Sequence, residues 1–209
     1  LGRGGSDLTA VTLAHFLKAD RCRLFKKTGG VLQVDPDLIP NDHRIERLSH
    51  LELDVFTQLG AKVIQPKAAQ FARIHRVPFE VADSKTYECG TYVNDDVRPN
   101  PLPVWGLAVR EMGGSEILAG KPTEAVEKMT ISLLLTDRFC PSSFPLPGGS
   151  LGQINGIRFL SFESDVHQYR RTARVLYRWA RLVNGGNGES NNRILPKDNG
   201  GYPNSGSGT

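Results

Sequence analysis

Apolar positions in the first hundred residues alternate between a helical period and a strand-like one. Leu8, Val11, Ala14 and Leu17 recur at helical spacing and predict a helix over about 6–19, with Ser6 and Asp7 as N-cap candidates. Cys22 to Phe25 is a strand candidate, and Thr28-Gly29-Gly30 is a turn. Ser49-His50-Leu51-Glu52 has the form of a capping box and opens a helix through about Leu59, with Leu51, Val55 and Leu59 on one face. Pro66 suits the first turn of a further helix to about His75. Val77 to Ala82 and Thr91 to Val93 read as strands. Such alternation predicts an α/β layer with a largely parallel sheet.

Asn94-Asp95-Asp96 and the prolines at 99, 101 and 103 mark a linker, and a smaller unit follows. Val104 to Arg110, Thr130 to Leu135 and Ile157 to Phe162 are strand-like, and Glu124 to Met129 has the makings of a short helix. Cys140 to Gly152 is rich in Pro, Ser and Gly and reads as loop. From Asp165 a long helix is expected, with Val166, Tyr169, Ala173, Leu176, Ala180 and Val183 on one face and Asn184-Gly185-Gly186 as its stop. Residues 184–209 are mostly Gly, Asn, Ser and Pro, so a disordered tail is expected there.

Composition narrows the picture only a little. The 209 residues are 39% hydrophobic and 23% charged, with a formal net charge of +4, values ordinary for a globular protein. No apolar run approaches the roughly 18 residues that a membrane span requires, so no membrane association is expected. Cys22, Cys89 and Cys140 are odd in number and far apart. They read as reduced thiols, which fits the cytoplasm better than an oxidising compartment. The five histidines show no ligand spacing, so no metal held by the protein is expected. The helix at 165–183 carries Arg170, Arg171, Arg174, Arg178 and Arg181 among Tyr169, Tyr177 and Trp179. A basic face of this kind is either solvated or a nucleic-acid surface. The solvated reading is preferred, so no nucleic-acid partner is expected.

The chemistry concentrates at the start. Leu1-Gly2-Arg3-Gly4-Gly5-Ser6-Asp7 is a glycine-rich loop running into a helix. Unpaired N–H groups at a helix N-terminus, glycines that permit close approach and a forked arginine together make an anion site. The plainer alternative is a glycine turn before a core helix. Followed by Leu8-Thr9-Ala10-Val11, the string closely resembles the substrate loop of aspartokinases, members of the amino acid kinase family. A second block, Arg44-Ile45-Glu46-Arg47-Leu48-Ser49 and then Leu59-Gly60-Ala61-Lys62-Val63-Ile64-Gln65-Pro66, resembles that family's next conserved stretch in order and distance. Gly29-Gly30-Val31 and Asp35-Pro36 stand where the family has its nucleotide loop. The resemblance covers roughly residues 1 to 95.

It implies an α/β fold: the C-terminal half of an amino acid kinase three-layer sandwich over 1–95. A small α+β unit resembling the ACT regulatory module would follow at 100–183, then the tail at 184–209. It implies transfer of the γ-phosphoryl of ATP to the side-chain carboxylate of L-aspartate, in lysine, threonine and methionine synthesis. Mg²⁺ would arrive with the nucleotide. Arg3, with Gly4, Gly5 and Ser6, would hold aspartate. Asp7 would orient the lysines that stabilise the transferred group, and Lys62 would neutralise phosphate oxygens. Lys26, Lys27, Gly30, Val31 and Leu32 would meet the nucleotide. An amino-acid effector at the ACT-like unit and a homo-oligomer are the further implied partners.

The loop departs from the family pattern at Lys26-Lys27, Leu32 and Asp37, and Asp37 places a negative charge where the family has a positive one. The plain readings also stand: Arg3 and Lys62 as solvated cations, Asp7 as a simple cap, Lys26-Lys27 as a solvated strand end. The chain begins inside a motif and lacks the family's Lys-Phe-Gly-Gly strand end. A fragment that does not turn over alone is therefore expected. The competing readings are a non-catalytic family member serving regulation or assembly, and an unrelated α/β anion-binding module.

Overall fold

The computed structural model describes residues 5–40, 43–96, 100–112, 128–137, 139–142 and 144–185. Helix α1 spans Gly5–Phe16 and is followed by strand β1, Arg23–Lys26. The two-residue strand β2, Arg47–Leu48, leads into helix α2, His50–Gln58. Then come helix α3, Pro66–His75, strand β3, Phe79–Asp83, and strand β4, Cys89–Val93.

Local chemistry explains most of these boundaries. Ser49 caps α2: its hydroxyl accepts from the Glu52 N–H, and the Glu52 carboxylate accepts from the Ser49 N–H. Pro66 opens α3, where the lack of an N–H costs nothing. The start of α1 differs from expectation. Ser6 and Asp7 both lie inside its first turn, so neither is its cap. The helix also stops early, with Lys18 at φ +50°, and leaves Leu17 exposed instead of in the apolar stripe.

The first sheet has the order β1-β3-β4-β2. Its β1–β3 and β2–β4 pairings are parallel, but β3 and β4 form an antiparallel pair, so the sheet is mixed. Leu24, Phe79, Val81 and Val93 pack with Val11, Leu53, Phe56 and the alanines of α3 in one core. The opposite face carries Phe25 and Tyr92, both exposed.

The second sheet contains β5, Val104–Met112, β6, Lys128–Leu135, β7, Ser150–Ile154, and β8, Ile157–Asp165. All its pairings are antiparallel, in the order β5-β6-β8-β7. Helix α4, Tyr169–Val183, closes the described chain. The β7–β8 hairpin turns on Asn155 and Gly156, both at positive φ, as a two-residue hairpin turn demands. The loop expected over 140–152 therefore gives way to strand at Ser150. Asp165 ends β8, so α4 begins four residues later than the periodicity suggested, and Val166 is not part of it. Lys128 and Met129 belong to β6, not to a helix, and 124–127 lie outside the described residues, as does the expected tail beyond 185.

Both faces of this sheet are covered. Leu107, Ile131, Leu133, Leu160 and Phe162 pack with Ala173, Leu176 and Ala180 of α4. Trp105, Ala108 and Leu134 face the first unit, where the Trp105 and Phe56 rings meet edge-on at 5.5 Å. The turn after α2 is pressed against β5. Gly60 sits at φ +108°, and a Cβ there would lie 2.4 Å from the Val109 carbonyl oxygen. We expect Gly60→Ala to destabilise the protein by about 2–4 kcal/mol, since backbone strain and a clash with main chain add. An unshifted midpoint in urea denaturation would show that the turn relaxes freely.

Candidate functional site

A cleft of about 430 Å³ opens between the two units. One wall is the segment from Thr28 to Leu38, the second is Gly60 to Val63, and the third is β5 with the start of α4. The first wall is held by side-chain hydrogen bonds. The Thr91 hydroxyl donates to the Ile45 carbonyl at 2.7 Å and accepts from the Val31 N–H at 2.8 Å. Ile45 N–H donates in turn to the Val31 carbonyl at 2.8 Å. Gly30 passes so close to Gly90 and Thr91 that a Cβ would meet both at 3.0–3.1 Å. Behind the turn, the Asp83 carboxylate accepts from the N–H groups of Thr86 and Lys85. Those bonds, with the Arg44 guanidinium nearby, hold its pKa below the usual carboxylate value.

Asp35 organises the cleft floor. Its Oδ1 accepts from the Asp37 N–H at 2.9 Å, and its Oδ2 lies 3.3 Å from Lys62 Nζ. The Lys62 side chain is largely exposed and reaches in from the second wall. Arg170 of α4 donates to the Asp37 carbonyl at 3.1 Å, and Arg110 of β5 donates to the Gln58 carbonyl at 3.3 Å.

Gly30, Leu32 and Lys62 line the cleft. Val31 is fully buried in the first core, with its side chain away from the cleft. Lys27 is exposed on the turn and is not part of the lining. Lys26 is not a solvated strand end. Its Nζ lies 2.8 Å from both carboxylate oxygens of Asp7, which is buried. Asp7 Oδ2 also accepts from the Gln65 N–H at 3.4 Å, so one carboxylate ties α1, β1 and the start of α3 together. Gly5 and Ser6 form the first turn of α1. Arg3 and Gly4 lie outside the described residues.

Sequence reasoning missed Thr91, Arg110, Arg170 and the pairing role of Asp35. The basic face of α4 also divides: Arg170 enters the cleft lining, Arg181 bonds His43, and Arg171, Arg174 and Arg178 are exposed. Among the described residues no group of three His, Cys, Asp or Glu gathers to hold a metal. No described helix is long and apolar enough to cross a membrane.

The model of the amino acid kinase family matches residues 1–83. Aspartokinase 2 of Bacillus subtilis is 42% identical over 96 residues, covering 46% of this chain and 24% of that protein. Residues 1–83 are thus similar to the amino acid kinase family and, within it, to aspartokinases. The aspartokinase of Geobacillus stearothermophilus is also 42% identical, over 112 residues that cover 53% of this chain and 28% of the relative. The chain thus matches about a quarter of the length of these relatives. The α/β fold extends the likeness further along the chain. Escherichia coli aspartokinase III, solved with aspartate and ADP, superposes with a TM-score of 0.67 at 19% identity, over 85% of this chain and 56% of that one.

Two predictions follow from the geometry of Asp7 and Asp83. Lys26→Met leaves the buried Asp7 carboxyl without its cation. It should cost about 2–3 kcal/mol, less than the loss from a fully buried pair because Lys26 is partly exposed. Chemical denaturation measures it, and a loss below half a kcal/mol would mean that Gln65 and water suffice for Asp7. The second concerns pH. The folded pKa of Asp83 is lowered, so its contribution to stability is present above the unfolded value and lost as pH falls through the folded one. The acid limb of a pH–stability curve should flatten in Asp83→Asn, and an identical limb would remove this carboxylate from the acid response.

Proposed function

We propose that this chain is the part of an aspartokinase that builds one side of the nucleotide site, with a regulatory unit behind it. The reaction is transfer of the γ-phosphoryl of ATP to the side-chain carboxylate of L-aspartate. The observation that carries the reading is Lys62, in Gly60-Ala61-Lys62-Val63, projecting into the cleft opposite Gly30 and Leu32. Phosphoryl transfer is mostly positioning and charge neutralisation, and Lys62 at the edge of a cleft lined by Gly30 and Leu32 supplies a cation for the second.

Each residue then has a task. Lys62 exchanges its partner Asp35 for phosphate oxygens. Leu32 offers an apolar surface to the base, and the tightly held Gly30 keeps the first wall at close range. Asp7 positions Lys26 at the end of β1, where the ammonium faces the start of α3. Arg3, with the N–H groups near Gly4, Gly5 and Ser6, takes the aspartate carboxylate. ATP supplies the transferable group and brings Mg²⁺ with it. Residues 1–95 form part of the kinase domain. Residues 100–183 form an ACT-like unit that takes an amino-acid effector, and residues 184–209 form a tail. Assembly as a homo-oligomer in the cytoplasm completes the reading.

The Lys62–Asp35 ion pair favours a second reading, a family member that no longer turns over, because it neutralises the cation the chemistry needs. Calorimetric titration with Mg-ADP separates the two. Under the enzyme reading, Lys62→Ala weakens ADP binding about 10- to 100-fold, the range of one charge-assisted hydrogen bond, and leaves adenosine binding unchanged. Asp35→Asn releases Lys62 and tightens ADP binding. Absence of any ADP binding by the unmodified protein would leave the non-catalytic reading standing.

A further inference from the structure

Two cations from different units converge on one short turn. Lys62 comes from the loop after α2 and pairs with the side chain of Asp35. Arg170 comes from the first turn of α4 and meets the carbonyl of Asp37, two residues on. Both line the same cleft. Arg170 is the odd one by its own helix's standard. The first turn of α4 has no acidic residue, and a cation there opposes the positive end of the helix dipole. Its only close partners among the described residues are neutral: a carbonyl oxygen and the Tyr169 ring, 5.6 Å from the guanidinium carbon. Neither removes its charge, so an exposed guanidinium is held at the cleft by contacts that leave several donors unused.

We infer that Arg170 is the phosphate-binding residue that the second unit contributes to the nucleotide cleft. The phosphate chain of a nucleoside diphosphate or triphosphate is thereby gripped from both units, by Lys62 on one side and Arg170 on the other. This rests on the nucleotide reading of the cleft. It also answers the acidic residue at position 37. The Asp37 backbone carbonyl, not a side chain at that position, presents the cation, and the cation arrives from 133 residues away in sequence. Carboxylates of Asp35, Asp37 and Glu111 also line the cleft. A polyanion therefore enters only where a fixed guanidinium offsets them, which makes the contribution of Arg170 specific to the phosphates and not to the base.

The test uses the full chain, Mg-ADP and adenosine as probes, and calorimetry. Arg170→Gln should weaken Mg-ADP about 10-fold or more, as loss of a charged hydrogen-bond partner does, and leave adenosine unchanged. Arg170→Lys should fall between, because it keeps the charge and loses the fork. Thermal stability should not drop in Arg170→Gln, since a cation leaves the helix N-terminus. If Arg170→Gln binds Mg-ADP like the unmodified protein while Lys62→Ala binds it weakly, the inference is overturned and the nucleotide reading survives. Equal losses for ADP and adenosine would also overturn it, by showing that the arginine only shapes the cleft. If the unmodified protein binds neither probe, both readings fall together.

Discussion

Strand β5 is the constraint on which the rest of the site depends. It is an edge strand, so its outer N–H and C=O groups must find partners outside the sheet. Those of Leu107 and Val104 do so on two separate parts of the chain, and Val109 is crowded by a turn. Leu107 N–H donates to the Gln33 carbonyl at 2.7 Å, which fixes the first wall of the cleft. The Asn184 side-chain amide pairs with both polar groups of Val104, at 3.0 and 2.6 Å, which fixes the end of α4. The Gly60 turn abuts the Val109 carbonyl so tightly that no side chain fits, which fixes the loop carrying Lys62. One strand therefore sets the relative position of every wall, and packing of Trp105 on Phe56 seals it from behind.

Within that frame, the shape of the first wall comes from polar contacts more than from packing. Thr91 is fully buried and its hydroxyl both donates and accepts, so its polar group is satisfied and it reinforces the backbone pairing of Val31 with Ile45. Asp7 does similar work for α1, β1 and α3, but with a charge. A buried carboxylate is tolerable only while its ammonium partner is present. This pairing keeps Lys26 in place at the end of β1 and withdraws it from free contact with solvent.

Legibility in the sequence follows the range of the interactions. The capping box at Ser49 and Glu52, the proline at the start of α3 and the Ala173, Leu176 and Ala180 face of α4 are local, and each stands where the pattern puts it. The aspartokinase-like segment was legible because its motifs are contiguous strings. Strand β2 was not, since two residues carry no period and its pairing with β4 is remote in sequence. The Asn155-Gly156 turn is a local hairpin signal that the Pro, Ser and Gly content of 140–152 obscured. Lys26 looked like a free strand end because its partner lies 19 residues earlier, on the buried side of α1. The cleft itself was out of reach: its third wall lies on β5 and α4, remote in sequence from its first, and only the fold brings Arg110 and Arg170 to Asp35.

Under the proposed function, that geometry bears on regulation. A ligand shifts a conformational equilibrium only by its difference in affinity for the two states. Here the second unit forms part of the cleft lining, and β5 is bonded directly to the first wall. Any displacement of the second sheet must break the Leu107–Gln33 bond or drag the 28–38 segment with it. Either outcome changes the cleft. Under the proposed function, a ligand in the cleft and the position of the second sheet would be coupled reciprocally, through the Leu107–Gln33 bond and the common lining.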